Sequence, residues 1–190
     1  MSAACREAPG AAVALRPGGC VKMTLEQRVD LLEKELQRVK DADEIRQNKA
    51  KYFRCIDSGK WDELRTTLAP DMHTAFFGGK IVCNSPEEFI AYLQKNNSKS
   101  SMTMHFAHTP EITFESGELA HGIWYLQDNT ILLDGSDYRV QGGSFHLDTY
   151  VKIDGKWLIR EIKSERTYEE VFKCSHSNAN IKRYTPPTNA

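Results

Sequence analysis

From Thr24 onward, apolar residues return in steps of four and three: Leu25, Val29, Leu32, Leu36 and Val39. That spacing is the narrow seam of a packed helix, and Thr24 followed three positions later by Gln27 is a capping box that opens it. The seam fails at Asp43 and Arg46, so it spans only about two heptads, too few for a coiled coil that stands alone. It is expected to pack on a neighbouring subunit or on the domain's own sheet. A second apolar phase, Ala42, Ile45, Tyr52 and Ile56, carries the helix to Ser58-Gly59, where glycine supplies the stop. Trp61 to Leu68 reads as a short helix closed by Ala69-Pro70. Asn84-Ser85-Pro86-Glu87-Glu88 begins another, with Phe89, Ile90, Tyr92 and Leu93 as its apolar face. After Ser101 the pattern turns to strands, at 102–108, 111–115, 119–133, 144–153 and 156–167. Asp154-Gly155 is a two-residue hairpin turn, and Gly142-Gly143 reads as another turn. Helices first and long antiparallel strands afterwards predict an α+β domain in which one bent sheet wraps around the helices.

Residues 1–22 are rich in Ala, Gly and Pro without periodicity and read as a disordered leader, or as residues upstream of a start at Met23; 173–190 read as a polar tail. The domain is then 23–172. Its 190-residue chain favours one domain over two. Twenty-five basic side chains against twenty-six acidic ones leave a net charge of −1, which gives no footprint for nucleic acid or an anionic membrane. No apolar run approaches the roughly 20 residues that cross a bilayer. Cys5, Cys20, Cys55, Cys83 and Cys174 are scattered without CxxC spacing, as expected of reduced thiols in a cytoplasmic protein.

Strand parity separates the candidate histidines. His105 and His108 are three apart, so on a regular strand they point to opposite faces and cannot share a metal. Carried outward from the 154–155 turn, Ile153 pairs with Lys156. Phe145, Leu147, Val151, Leu158 and Ile162 then share a face with Ser164 and Arg166, unless a bulge reverses the assignment. An arginine on that face needs a carboxylate, a ligand or an exit to solvent. On the residues alone, Tyr52 reads first as a core tyrosine whose hydroxyl reaches the surface and Asp57 as a turn residue beside Ser58-Gly59. Five residues at about 100° each set them about 140° apart on an ideal helix, so they converge only if Asp57 lies beyond the last regular turn. Trp61, Trp124 and Trp157 read as core or interface aromatics. His73, His121, His146 and His176 show no partner in the sequence, and no nucleotide fingerprint appears.

Several strings taken together are less generic. MTLEQRVDLLEKELQ (23–37), KYFRCID (51–57), WDEL (61–64), HTPEIT (108–113), WYL (124–126) and IDGKW (153–157) resemble, in order and spacing, the bile acid 7α-dehydratases of gut bacteria. Those belong to the SnoaL-like, nuclear transport factor 2-like superfamily. The resemblance runs from about Met23 to Phe172. It implies a cone-shaped barrel of a strongly curved antiparallel sheet around N-terminal helices, a deep pocket, a homotrimer, and catalysis without a cofactor or metal. It places the family's catalytic residues on Tyr52, Asp57, His105 and Arg166. The family pattern has a tyrosine where this chain has Phe76, so one hydroxyl is missing from the substrate pocket; His121 and Ile123 also depart from it.

The reaction implied is loss of water from a 7-hydroxy-3-oxo-4-ene steroid, a bile acid or its coenzyme A thioester. The proton on carbon 6 is acidified by conjugation with the ketone. His105 is the expected base, Asp57 its orienting carboxylate and Tyr52 the donor to the 3-oxo oxygen. Arg166 would position substrate or pair with a carboxylate. Another cofactor-free enzyme of this fold, an isomerase or polyketide cyclase, or a non-catalytic small-molecule-binding module are the alternatives.

Overall fold

The computed structural model describes residues 23–76, 78–96, 101–133, 136 and 138–173. The expected leader, nearly all of the expected tail, His176, Cys5, Cys20 and Cys174 lie outside them. The elements run α1 (Leu25–Ser58), α2 (Trp61–Arg65), β1 (Leu68–Phe76), β2 (Ile81–Cys83), α3 (Pro86–Asn96), β3 (Ser101–Ala107), β4 (Glu111–Phe114), β5 (Leu119–Leu132), β6 (Tyr138–Ile153) and β7 (Lys156–Lys173). Two compact units divide α1 after Leu36.

In the first unit the capping box closes as its residue types require. The Gln27 amide donates to Thr24 Oγ1 at 3.2 Å and the Thr24 amide to Gln27 Oε1 at 3.0 Å. Leu25, Val29, Leu32 and Leu36 are all exposed.

In the second unit α1 carries a buried face of Asp41, Ile45, Lys49, Tyr52, Phe53, Cys55 and Ile56. Seven strands form one sheet in the order β2-β1-β7-β6-β5-β3, with β4 beside β3 on the same edge of β5. The α+β class is as the pattern predicts, but the order is not helices first: β1 and β2 stand between α2 and α3, and Leu68, read as the end of a helix, opens β1. The sheet, however, is mixed rather than antiparallel throughout, because β1 runs parallel to β7, and it is not closed into a barrel. β1 and β2 are strands that periodicity misses. Pro70 and Asp71 break the apolar alternation of β1, and its ladder skips from Leu68↔Ile159 to His73↔Glu161, leaving Pro70 where no amide is required.

The 154–155 turn forms as expected, with Asp154 and Gly155 both at positive φ, 50° and 77°, and Ile153 opposite Lys156. Two bulges then change the faces of β7. Thr149 pairs with Glu161 and Tyr150 with Ile159, so Arg160 is extra; Gly143 pairs with Tyr168 and Ser144 with Arg166, so Thr167 is extra. Ile162, Ser164 and Arg166 therefore share a face with Ser144, His146 and Asp148. Phe145, Leu147, Val151 and Leu158 lie on the other, a correction to the regular-ladder grouping. Gly142-Gly143 is not a turn either: both sit inside β6, opposite Glu169 and Tyr168.

Candidate active site

Parity holds on β3. Ser101, Thr103, His105 and Ala107 face the helices, while Phe106 and His108 are exposed on the other side with their rings 6.5 Å apart. This alternation brings His105 to the end of α1. Its Nδ1 lies 2.6 Å from Asp57 Oδ1, its amide donates to Asp57 Oδ2 at 2.9 Å, and Thr103 Oγ1 donates to Oδ1 at 2.9 Å. Asp57 is reached within the last turn of α1, not beyond it. An ionised carboxylate only accepts, so Nδ1 carries the proton and Nε2 keeps a lone pair.

Tyr52, one and a half turns earlier, stacks on Phe89 at 6.2 Å and meets Phe53 edge-on at 4.9 Å. Burial, reinforced by the charges of Asp148 and Asp57, pushes its phenol pKa well up, so it stays a donor. Its hydroxyl makes no hydrogen bond to a described residue.

Arg166 does not reach Asp57. It forks onto Asp128, with Nη1 on Oδ1 and Nη2 on Oδ2 (3.2 Å), and its Nη2 also meets Glu169 at 3.1 Å. Burial works against its charge, but Asp128 and Glu169 outweigh it and raise its pKa. Asp128 stands directly across the ladder from His105, which ties the arginine to the dyad's strand. Gly142 is what lets the guanidinium in: a Cβ there would run into Arg166 Nη2 and lie 2.7 Å from the Tyr168 carbonyl. Phe76 presents its ring 6.1 Å from His146 and 6.0 Å from Phe89.

A second polar group, absent from the sequence expectations, fills the inner row of β6. Lys49 Nζ bonds Asp148 Oδ2 at 2.6 Å and lies 3.2 Å from His146 Nδ1, and the Tyr150 hydroxyl donates to Asp148 Oδ2 at 2.7 Å. Burial pushes Lys49 down and Asp148 up, and their mutual contact opposes both shifts. Two signals in the sequence point here. Lys49 fills a position in the apolar stripe Ile45-Lys49-Tyr52-Ile56, and His146-Asp148-Tyr150 is a polar row at strand spacing.

Among the described residues no group of three or more His, Cys, Asp or Glu is placed to hold a metal, and no helix is long and apolar enough to cross a membrane. A cavity of about 470 Å³ opens between residues 38–46 of α1 and Ile112–Phe114 of β4. None of the dyad or polar-row residues lines it, so the arrangement of reactive groups, not cavity size, locates the candidate site.

Residues 37–163 match the SnoaL-like domain family, two thirds of the chain. The chain belongs to that family. The chain is 24% identical over 136 residues to the probable cyclase FGR4 of Gibberella zeae, covering 65% of this chain and 89% of that one. The fold is similar to a putative scytalone dehydratase from Novosphingobium aromaticivorans, with a TM-score of 0.66 at 15% identity over 81% of this chain and 97% of that one. It is also similar to the hexachlorocyclohexane dehydrochlorinase LinA-type3 from Novosphingobium barchaimii, with a TM-score of 0.67 at 14% identity over 79% and 99%.

Proposed function

We propose that this SnoaL-like protein is a cofactor-independent hydro-lyase that removes the 7-hydroxyl of a 3-oxo-4-ene steroid, a bile acid or its coenzyme A thioester. One observation carries the reading: His105 Nδ1 on Asp57 at 2.6 Å, which leaves Nε2 free to take a proton. His105 Nε2 removes the proton from carbon 6, and the C–H electron pair moves into a dienolate on the 3-oxo oxygen. Asp57 stabilises the imidazolium so formed, and the buried Tyr52 phenol donates to the charged oxygen. Collapse of the dienolate breaks the C7–O bond, the leaving hydroxide takes up a proton as the His105 imidazolium gives one up, directly or through solvent, and a 4,6-diene, water and the neutral base result. Relatives of similar fold named for dehydration and dehydrochlorination, both eliminations, support this class. The named cyclase supports a second reading, in which the same base starts a ring closure.

Purified protein and a 7α-hydroxy-3-oxo-4-ene bile acid, free or as thioester, provide the test. The longer conjugation of the product moves its ultraviolet absorption to the red. No shift with either form, beside turnover of a polyketide cyclase substrate, would replace the first reading with the second.

A further inference from the structure

The proposed reaction leaves the polar row of β6 without a task, and its geometry suggests one. Ser144, His146, Asp148 and Tyr150 alternate onto the buried face of β6, and Lys49 of α1 is inserted among them. A lysine ammonium has donors only. Held to Asp148 at 2.6 Å, it must donate to His146 Nδ1 at 3.2 Å, so the imidazole proton sits on Nε2. That ring is 5% exposed, and its Nε2 makes no hydrogen bond to a described residue. Phe53 packs against both histidines, its ring 5.3 Å from that of His105 and 5.7 Å from that of His146, while Phe76 closes on His146 from β1. One phenyl ring therefore meets two imidazoles of opposite character, one with an open lone pair and one with an open N–H.

We propose that His146 Nε2–H is a second donor, beside the Tyr52 phenol, to the substrate oxygen on which negative charge develops, a carbonyl that becomes an enolate, with Lys49 and Asp148 as positioning residues that fix its tautomer. This rests on the enolising reaction proposed above. A neutral imidazole suits the task, because its N–H is a weak acid that donates to the developing oxyanion without giving up its proton. The groups around the ring keep it in that state. Lys49 approaches from α1, with Asp148 and Tyr150 of β6 behind it, His105 from β3 and Arg166 from β7. Burial, Lys49, His105 and Arg166 all disfavour a second proton on the ring.

The experiment has two arms on the full chain. In the first, long-range ¹H–¹⁵N correlation of the unliganded protein should give His146 as the Nε2–H tautomer, unchanged between about pH 5.5 and 8. A ring that titrates in that range, or carries its proton on Nδ1, overturns the proposal. In the second, 2-naphthol and phenols of graded acidity serve as enolate mimics. His146→Phe should bind them at least about tenfold more weakly and lower kcat on the steroid about 10²–10³-fold with little change in KM, while His146→Gln, which restores an N–H, recovers part of both. Mimic binding lost in His146→Phe, without turnover of any steroid by the wild type, retires the steroid reading and keeps the subsite. Turnover unaffected by His146→Phe does the reverse.

Discussion

His105 and His146 both stand on the inward face of the sheet with an aspartate nearby, and they end in opposite states. At His105 the carboxylate touches Nδ1 directly, so the ring donates there and presents a lone pair at Nε2. At His146 a lysine stands between ring and carboxylate, Nδ1 accepts, and the proton is left on Nε2. Solvent sharpens the difference. The His105 side chain is 21% exposed and the Lys49 and Asp148 side chains are fully enclosed. Residue type alone does not set the chemistry of an imidazole; what occupies its far nitrogen does.

The comparison breaks first at its reactive end. His105→Ala should lower kcat on the steroid by about 10²–10⁴ through loss of the positioned base, with unchanged near- and far-ultraviolet circular dichroism. A fully active variant would remove His105 from the chemistry. At the enclosed end, Lys49→Met leaves Asp148 as an uncompensated buried charge, which costs about 3–5 kcal/mol. In a domain of this size that is a fall in melting temperature on the order of 6–20 °C. Lys49→Met with Asp148→Asn removes the stranded charge while keeping an acceptor for Tyr150, and should regain more than half of the loss. An unshifted melting curve for Lys49→Met would mean that the pair is not enclosed.

Acid should act on the enclosed imidazole in a predictable direction. Burial, and then Lys49, hold the His146 pKa well below its ordinary value, whereas in the unfolded chain the ring protonates near pH 6.5. Below that pH the unfolded state binds a proton that the folded state refuses. Stability is therefore fully present above about pH 6.5 and falls as the pH drops, by up to about 1.4 kcal/mol per unit for this one group. Urea unfolding of wild type and His146→Gln at about pH 8.5, 7.5 and 5.5 checks it: the gap between the two curves should change with acid and stay constant between the two higher values.

Why one centre could be read in the sequence and the other could not follows from how each is built. The resemblance, not the local pattern, marks Asp57 and His105 as partners; local rules supply only the helix end at Ser58-Gly59 and the opposite faces of His105 and His108. The hairpin turn and the α+β class are local in the same sense. Lys49 and Asp148 are joined across 99 positions; Lys49 stands in an apolar stripe and Asp148 in a polar row at strand spacing, but nothing local to either says which residue it will meet. The inward placing of Arg166 depends on two bulges, which arise from pairing along the whole β6–β7 ladder and leave no mark on alternation. Gly142-Gly143 looked like a turn because glycine is common there. In the fold its missing side chain makes room for Arg166 and Tyr168 instead. β1 stayed hidden because its proline falls in a break of the ladder.

The finest test concerns how firmly Asp57 is held. Thr103 Oγ1 and His105 Nδ1 both bond the same carboxylate oxygen, at 2.9 and 2.6 Å, while the His105 amide holds the other oxygen at 2.9 Å. Thr103→Val keeps the shape and removes one donor. Asp57 retains two bonds to a single residue, so it stays near His105 but gains freedom to rotate about them. A hydrogen bond to a charged group contributes about 1.5–3 kcal/mol when enclosed, and less at a carboxylate partly open to solvent. The expected loss is therefore about 3–10-fold in kcat, with KM and the His146 tautomer unmoved and Thr103→Ser close to wild type. Equal kcat for valine and threonine would mean that the β3 backbone alone positions Asp57. The two imidazole centres would then differ in one more respect, since His146 depends on a side-chain network and His105 on a strand.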